Sequence, residues 1–439
     1  MERIALGDFF DRTALGAGDR EALVFPEMRV RWRYREVHAR VSQLAKGLMG
    51  LGVDAGDHVA VFATNRAEWV LLQIAVAKIG AVLVPVDPSA GAHDLASVLA
   101  HSDAAALFLV DLVDDVSLCD VFFETCPEAR AGRPHLASRR FPTLKRVALL
   151  GEGAAPRGIL PWTDVLAAGA GITDHLLRRR QETVEPPDLA ALHYTAGTTG
   201  PRKGVELTHL NLVNDAVAAG DCMRLVRGDR LCVPVAFARP FSGVLGTLAA
   251  LGRSATLVVP AECFDAGTTL AALAAERCTA LLAEPRMLGS MLRHPDVLRS
   301  DLSALRTGIV AGSACPPGLL PDAIARLHLP DVTVAYGQTE TTAVITQTRT
   351  DDAIDLRART VGRALPDVEV KIVDPRTGIE VAPGREGELC CRGFPVMRGY
   401  YKAAEATAAK LGANGWLRTG DLAVMDRFGY CTITGRVGA

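Results

Sequence analysis

Residues 194–204 read YTAGTTGPRKG, directly after the apolar run 189–192. Glycines let the backbone approach a ligand closely and reach positive φ angles, and consecutive backbone N–H groups can form a nest that holds an anion. The threonine hydroxyls donate hydrogen bonds, and Lys203 adds a positive charge. The stretch therefore predicts a loop that cradles a polyphosphate. The alternative interpretation is an ordinary Gly/Thr turn between two elements.

This loop differs from a Walker A loop in the order of its residues. The Walker A pattern places Gly before the lysine and Ser or Thr after it. Here Arg202 precedes Lys203, and Gly204 and Val205 follow it. A P-loop kinase or GTPase is therefore disfavoured.

Short apolar strands alternate with helical patterns on both sides of the loop. Upstream, residues 58–62 and 81–86 are typical of buried strands, and residues 68–78 between them are typical of a helix. The same alternation returns over residues 189–330. Strands that alternate with helices predict parallel βαβ units.

The pattern changes after about residue 350. Residues 368–373 alternate polar and apolar side chains, as a half-exposed strand does, and turn signals follow closely. We therefore predict an α/β fold of two stacked βαβ-type subdomains with largely parallel sheets flanked by helices, plus a small β-rich, barrel-like subdomain. The predicted units are residues 1–185, 186–350 and 351–439.

Length and composition limit the class of protein. A chain of 439 residues accommodates two to four domains at roughly 150 residues each. Its 48 Lys and Arg nearly balance its 50 Asp and Glu, so no charged surface for nucleic acid or an acidic membrane is indicated. The ten cysteines contain no CxxC pair, which favours reduced thiols and a cytoplasmic location over zinc or disulfides.

No membrane segment is predicted. The most apolar stretch, residues 71–86, contains Gln73, Lys78 and Pro85 and is too short to span a bilayer. The first residues show no apolar core of a signal peptide. The oligomeric state is left open by the sequence.

A second cluster of chemical interest is AYGQTETT at residues 335–342. Tyr336 could stack on a base, Thr339 could reach a phosphate, and Glu340 could hold a hard cation through oxygen. The alternative is a polar helix start, with Thr339 or Thr341 as N-cap.

Two further motifs follow near the end of the chain. Asp421 comes after Gly420 in a turn and could accept two hydrogen bonds from a sugar diol; its alternative is an Asx-turn. Arg436 belongs to Thr434-Gly435-Arg436, and its alternative is a solvated surface charge.

The order and spacing of these four motifs resemble the adenylate-forming superfamily, which contains acyl-CoA and aryl-CoA synthetases, firefly luciferase and the adenylation domains of nonribosomal peptide synthetases. The resemblance covers essentially the whole chain and includes 34–36, 65–69, 362–363, 387–389 and 399–401. It implies that ATP and Mg²⁺ activate a carboxylic acid to an acyl-adenylate. A thiol, that of coenzyme A or of an acyl carrier protein, then takes the acyl group.

The resemblance also implies roles for individual residues. The expected phosphate contacts are Thr195, Gly197, Thr198, Thr199, Gly200 and Lys203. The other expected nucleotide contacts are Gly312, Ser313, Tyr336, Thr339, Asp421 and Arg436. The expected acyl pocket comprises Phe237, Ala238, Arg239, Phe241, Gly312 and Gly337. Glu340 is the expected Mg²⁺ ligand, and the expected catalytic residues are Lys203, Thr339, Glu340 and Arg239.

Several positions depart from the family pattern. Ala196 stands where a serine is usual, and Arg202 where a proline is usual. In the acyl-pocket motif Ala238 replaces an aromatic residue and Arg239 replaces a histidine, while Arg286 stands where a threonine is common. An arginine at position 239 could pair with the substrate carboxylate, or with the second carboxylate of a diacid. The alternative for both arginines is a surface or helix-end position.

The chain ends where relatives have a hinge, before the mobile subdomain that carries a catalytic lysine. We therefore expect this chain alone to bind ATP or an acyl-adenylate but to turn over poorly. The absence of a polar tail favours a truncation, and a naturally short protein is the alternative.

The leading function is an AMP-forming acyl-CoA synthetase for fatty or aryl acids. An amino-acid adenylation domain is a weaker alternative, because those relatives have Asp where Ala238 stands. A non-catalytic protein that binds nucleotide or acyl-adenylate is the other alternative.

Overall fold

The structure is a computed structural model that describes residues 1–132, 136–195 and 202–438. The α-helices of these residues are α1 Leu6–Ala17, α2 Tyr34–Gly50, α3 Ala67–Lys78, α4 Ala92–His101, α5 Leu118–Thr125, α6 Trp162–Ala167, α7 Asp174–Gln181, α8 His209–Cys222, α9 Pro240–Leu245, α10 Thr247–Gly252, α11 Ala266–Ala275, α12 Pro285–Arg293, α13 Leu319–Leu327, α14 Ile354–Arg359 and α15 Ala404–Lys410. Short 3₁₀ helices lie at Pro127–Ala131, Ala168–Gly171, Pro295–Leu298 and Thr339–Thr341.

The β-strands of the same residues are β1 Glu21–Phe25, β2 Val30–Arg33, β3 His58–Phe62, β4 Val82–Val86, β5 Ala106–Leu109, β6 Leu112–Val113, β7 Val116–Ser117, β8 Arg146–Leu149, β9 Leu189–Tyr194, β10 Gly204–Thr208, β11 Arg230–Cys232, β12 Thr256–Val258, β13 Ala280–Ala283, β14 Thr307–Val310, β15 Asp331–Tyr336, β16 Thr346–Gln347, β17 Arg363–Ala364, β18 Val368–Val373, β19 Glu386–Gly393, β20 Gly399–Tyr400, β21 Leu417–Met425 and β22 Cys431–Arg436. β6 and β7 form a separate small hairpin.

The first sheet has the strand order β20-β10-β9-β4-β3-β5-β8 over the described residues. The strands from β9 to β8 run parallel, as is usual where helices such as α3 and α4 connect successive strands. β10 lies antiparallel to both β9 and β20. β9 and β10 therefore form a hairpin, and the chain between them is the predicted phosphate loop.

The second sheet has the order β17-β16-β15-β14-β13-β11-β12-β1-β2 in the part of the chain that the structure describes. Its central strands, from β15 to β1, run parallel, and antiparallel strands flank them at both edges. A third, antiparallel sheet has the order β18-β19-β21-β22.

The structure confirms the predicted α/β class, with two largely parallel sheets and a smaller β-rich part. Each large sheet nevertheless takes strands from both sides of residue 185: β1 and β2 join the second sheet, whereas β9 and β10 join the first. Sheet membership does not define folding units, so the unit boundaries at residues 185 and 350 stay a prediction. Periodicity identifies a strand but carries no information about its neighbours in a sheet.

Helix α3 lies in the core and is buried along nearly its whole length, with Trp69 fully buried. A helix that is apolar on every side is typical of such a position. The structure confirms the helix predicted at 68–78 and the strand predicted at 58–62. Gln73 donates a hydrogen bond of 2.6 Å to the backbone oxygen of Gly243 and so ties α3 to α9. Among the described helices, none has the length and apolarity needed to cross a bilayer.

Candidate active site

Residues of the candidate site follow three parallel strands of the second sheet, and two of them, Gly312 and Gly337, are predicted from the sequence. Glu284 follows β13, Gly312 follows β14, and Gly337 follows β15. The carboxyl ends of neighbouring parallel strands meet at one edge of a sheet, where α/β proteins bind ligands. Two cavities lie at this edge.

The Asp421 cavity, named after the aspartate in its wall, has a volume of about 670 Å³. Residues Gly312, Ser313, Tyr336 and Gly337 line it from the second sheet, and Asp421 and Arg436 line it from the third. Five of these six residues, all except Gly337, are expected nucleotide contacts. The structure thus brings motifs from two different sheets together around one space.

Asp421 is held by two side chains. Tyr336 Oη donates to Asp421 Oδ2 at 2.6 Å, and Arg436 Nε donates to Oδ1 at 2.9 Å. Asp421 and Arg436 are direct partners in the pairing of β21 with β22. Burial, reinforced by the charge of Asp421, raises the pKa of Tyr336, which keeps its hydroxyl protonated as a donor. A carboxylate has about four lone-pair sites, so it can still accept hydrogen bonds from a diol.

The Arg239 cavity adjoins the first and has a volume of about 300 Å³. The predicted residues Thr195, Ala238, Arg239, Phe241 and Thr339 line it, together with others that include Tyr194 and Arg202. Both described ends of the phosphate loop therefore face the predicted acyl pocket.

Gly312 and Gly337 line both cavities and form their shared wall. Gly312 has a φ of +93°, which favours glycine. A Cβ atom on Gly337 would lie 2.1 Å from the backbone oxygen of Ala343, so the chain admits no side chain there. At these two positions no side chain stands between the cavities.

Phe237 is not among the described residues that line the Arg239 cavity. Its ring is buried, with its centroid 5.2 Å from that of Trp69, and its backbone N–H donates to Asn65 Oδ1 at 2.7 Å. A buried aromatic cluster thus holds the Phe237 ring, and its expected contact with the acid stays a prediction.

Arg239 and Arg286, the two unusual arginines, share one carboxylate. Arg239 Nη1 lies 3.2 Å from Glu284 Oε1, and Arg286 Nε lies 2.7 Å from Glu284 Oε2. Glu284 is only 6% exposed, whereas the two arginine side chains are 52% and 70% exposed. Sequence analysis missed Glu284, because nothing in its local pattern indicates which cations it meets.

The described part of the phosphate loop is closed at its base. Thr195 N donates to Lys203 O at 3.0 Å, and Lys203 N donates to Thr195 Oγ1 at 3.2 Å. Arg202 forms an ion pair of 2.9 Å with Asp94. The predicted phosphate contacts Gly197, Thr198, Thr199 and Gly200 lie outside the described residues.

Tyr400 connects Lys203 to Glu340. The ammonium of Lys203 lies over the Tyr400 ring, 5.2 Å from its centroid, a cation–π geometry. Tyr400 Oη donates to Glu340 Oε1 at 2.7 Å. Sequence analysis noted the motif around Tyr400 but assigned it no role, and the strand β20 brings it to the site.

Lys410 is a further cation that sequence analysis missed. Its ammonium donates to the backbone oxygens of Arg418 and Thr419, at 3.0 and 2.7 Å. Burial lowers its pKa, while the charges of Glu340, Glu388 and Asp421 act in the opposite direction. Lys410 thus holds the backbone just before Asp421.

Glu340 is the candidate metal ligand of the site. Over the described residues, no group of three or more His, Cys, Asp or Glu side chains could hold a metal by itself. Glu340 supplies a carboxylate beside the phosphate loop. This fits Mg²⁺, which usually binds one or two carboxylates together with substrate phosphates and water.

Two adjoining cavities at the carboxyl edge of a parallel sheet, with the ends of a phosphate loop facing one of them, are what an adenylate-forming enzyme requires. The chain belongs to the AMP-binding enzyme family, whose profile matches residues 10–401. This confirms the family that the motifs predict.

Known proteins of similar sequence are acyl-CoA synthetases and ligases by name. The chain is 44% identical over 433 residues to the putative acyl-CoA synthetase YngI of Bacillus subtilis, covering 98% of this chain and 78% of that protein. It is 36% identical over 439 residues to the acyl-CoA ligase SID4 of Ajellomyces capsulatus, covering 99% and 73%. A putative long-chain-fatty-acid CoA ligase from Rhodopseudomonas palustris has a similar structure, with a TM-score of 0.82, 25% identity, and coverage of 99% and 100%.

The predicted enzyme class is thereby confirmed. The chain is that of an AMP-forming acid–thiol ligase, which activates a carboxylic acid with ATP and transfers the acyl group to coenzyme A. Neither the amino-acid adenylation domain nor the non-catalytic binding protein is favoured by these relatives.

Proposed function

We propose that the substrate carboxylate and the α-phosphate of ATP meet at the wall shared by the two cavities. The observation that carries this proposal is that Gly312 and Gly337 line both spaces. A nucleotide in the Asp421 cavity and an acid in the Arg239 cavity would then approach each other where neither glycine obstructs them. Catalysis of this kind depends mainly on positioning and on stabilising the charge of the phosphates.

In this proposal the Asp421 cavity holds adenosine. Tyr336 packs against the adenine, and Asp421 accepts hydrogen bonds from the ribose hydroxyls. Arg436 and Tyr336 fix the carboxylate of Asp421, as their hydrogen bonds of 2.9 and 2.6 Å indicate. Ser313 and Gly312 complete the wall beside the nucleotide.

The phosphates extend towards the hairpin of β9 and β10. Thr195 and Lys203 contact the β- and γ-phosphates, and Thr339 contacts the α-phosphate. A carboxylate oxygen attacks the α-phosphorus, the bond from that phosphorus to the bridging oxygen breaks, and pyrophosphate leaves with the electron pair. Lys203 stabilises the negative charge that builds up on the leaving group.

Glu340 would hold Mg²⁺, and the bound ion would neutralise charge on the phosphates. Tyr400 orients the Glu340 carboxylate by donating to one of its oxygens. The same tyrosine packs under the ammonium of Lys203, so it aligns two groups that act on the phosphates.

For the acid, we propose a substrate that presents a polar or anionic group to Arg239. Its guanidinium lines the cavity and is half-exposed. Because Arg239 and Arg286 share the single carboxylate of Glu284, the cluster keeps one net positive charge. Phe241 and Ala238 supply apolar contacts for the rest of the acid.

The Arg239→His variant tests this proposal on substrate choice. We expect it to lose activity with diacids relative to fatty or aryl monoacids, because the fixed cation is removed. The measurement is a comparison of activities over a panel of acids. An unchanged substrate profile would count against a selecting role for Arg239.

Acid-dependent exchange of pyrophosphate into ATP tests the proposed function itself. Exchange that requires one acid of the panel supports acid activation, and mass spectrometry of the adenylate formed from a mixed pool identifies that acid. ATP binding by the full-length protein without exchange for any acid would support a binding protein instead. Thioester formation with coenzyme A rather than a carrier protein identifies the acceptor.

A cytoplasmic location, which the ten free cysteines favour, is tested by cell fractionation.

A further inference from the structure

The loop between β15 and β16, residues 337–345, contains a strained turn beside the predicted catalytic groups. Thr342 has a φ of +63° and a ψ of −70°, and Ala343 N donates to Thr341 O at 2.7 Å. These values define a γ-turn of the rare, strained type. A β-branched residue is an outlier at positive φ. Strain of this kind persists only where the surrounding structure enforces it.

Two groups outside the loop hold this turn. Thr342 Oγ1 donates to the backbone oxygen of Pro395 at 2.7 Å. Val344 N donates to Asp215 Oδ2 at 3.1 Å. Asp215 belongs to α8, in the middle of the chain, and is completely buried.

The turn accounts for the presence of a carboxyl group in this part of the core. Burial raises the pKa of Asp215, and the backbone N–H groups of Val344 and Ala343 act in the opposite direction. Over the described residues, Asp215 Oδ1 has no hydrogen-bond partner. Burying a carboxyl group with an unpaired oxygen costs free energy. The other oxygen of Asp215 accepts the hydrogen bond from Val344 N, which links the carboxyl group to the turn.

The strained turn also fixes residues at the shared wall of the cavities. Thr339, Thr342 and Ala343 line the Arg239 cavity, and the backbone oxygen of Ala343 packs against Gly337. Glu340 lies one residue after Thr339, within the same 3₁₀ helix. A shift of the turn would therefore move the groups assigned to the phosphates and to the metal.

We propose that Asp215 is a positioning residue, whose buried carboxyl group holds the strained turn at Thr342 and so keeps Thr339 and Glu340 at the shared wall. The inference rests on the proposed function, because it concerns the same reaction. Asp215 contacts no reactant and acts only through the backbone of the turn.

The first test measures acid-dependent pyrophosphate exchange and thermal unfolding for the D215A, D215N and N214A variants of the full chain. Asn214 is the matched control, because it is the neighbouring buried side chain on α8 and donates to Glu2 O, at 2.9 Å, instead of to the turn. We expect D215A to lower kcat by about tenfold or more, with the KM for ATP changed by less than about threefold. D215N keeps an acceptor for Val344 N, so it and N214A should stay within about threefold of the wild type.

The proposal is overturned if D215A and N214A have equal kcat values per folded molecule, or if D215N is as slow as D215A. A wild-type chain without exchange for any acid would instead contradict the proposed function. The two failures are therefore distinguishable.

A second test uses the strain at Thr342. Glycine adopts positive φ without strain. D215A should therefore lower kcat by about threefold or less in the T342G background, and by about tenfold in the wild-type background. If D215A lowers kcat equally in the two backgrounds, the proposed role of the strain at Thr342 is overturned. If D215A alone does not fold, T342G and T342G/D215A are compared directly, and a loss above about tenfold between them overturns the proposal.

Discussion

Asp421 shows how a single residue obtains its role from distant parts of the chain. Its donors Tyr336 and Arg436 are 85 and 15 residues away in sequence. Both hydrogen bonds fix the position of the carboxylate, and Arg436 itself is largely exposed. In the proposed site the carboxylate would therefore already be oriented towards the ribose diol before the nucleotide binds, which would lower the cost of binding.

The Asp421→Ala variant should weaken ATP binding by about a hundredfold or more, because two hydrogen bonds to a charged group are lost. Isothermal titration calorimetry measures the Kd. Glu369→Ala is the control, since Glu369 lies in the same sheet and pairs with Arg392 at the surface. Unaltered affinity in the Asp421 variant would remove this residue from the ribose site.

At the scale of elements, Asp11 joins four helices. It belongs to α1 and meets Lys78 of α3 at 2.5 Å, His38 of α2 at 3.1 Å and Gln181 of α7 at 2.9 Å. Burial acts to raise the pKa of Asp11, but hydrogen bonds from His38 and Lys78 outweigh it and lower the pKa to about 2. The Lys78 side chain is only 4% exposed, so this pair is a buried ionic contact between helices.

The Asp11→Asn variant should lower the free energy of unfolding by about 2 kcal/mol or more at neutral pH, because Lys78 loses its buried partner. The stabilisation by ionised Asp11 is complete above the pKa of about 3.9 of an unfolded aspartate. It is lost as the pH falls through the folded-state pKa of about 2. Urea unfolding at a series of pH values should therefore show the two proteins converging below about pH 4.

The exposed Asp19 provides the control for this experiment. Its side chain is 75% exposed where it pairs with Arg33, so Asp19→Asn should change stability by less than about 0.5 kcal/mol. A difference between wild type and Asp11→Asn that stays constant from pH 7 to pH 3 would contradict the assigned linkage.

At the scale of the whole molecule, the short strand β20 joins the two large sheets at the site. It pairs with β10 in the first sheet, while Tyr400 donates to Glu340 in the loop that follows β15 of the second sheet. Met397, just before β20, donates its backbone N–H to Glu340 O at 2.9 Å. The phosphate loop and the proposed metal ligand are thus held in one assembly.

Tyr400→Phe should raise the Mg²⁺ concentration for half-maximal pyrophosphate exchange by about three- to tenfold, because the ring remains but the hydrogen bond to Glu340 is lost. A Mg²⁺ titration at saturating ATP measures this. Tyr401→Phe is the matched control, since the Tyr401 hydroxyl donates to Asp103, at 2.9 Å, instead. Equal Mg²⁺ dependence in the two variants would show that Tyr400 does not act through Glu340.

Local chemistry made much of the fold and site predictable. Buried strands such as 58–62 and the helix at 68–78 follow from runs and periods of apolar residues. Thr339, Glu340 and Asp421 stand out because their motifs have a distinctive composition and order. The motif around Phe237 predicts a place in the acyl pocket, but it does not indicate the contact of its ring with Trp69, because a motif does not specify the direction of each side chain.

The sequence by itself determined the family, the ATP-dependent chemistry and the α/β class, since these depend on residue types in a fixed order along the chain. Only the tertiary structure decided that Glu284 forms an ion pair with Arg239, that Tyr400 donates a hydrogen bond to Glu340, and that Asp215 accepts one from the turn at Thr342. These contacts join residues from 45 to 129 positions apart. Such contacts depend on which strands and helices pack together, and the period of a pattern leaves that packing unspecified.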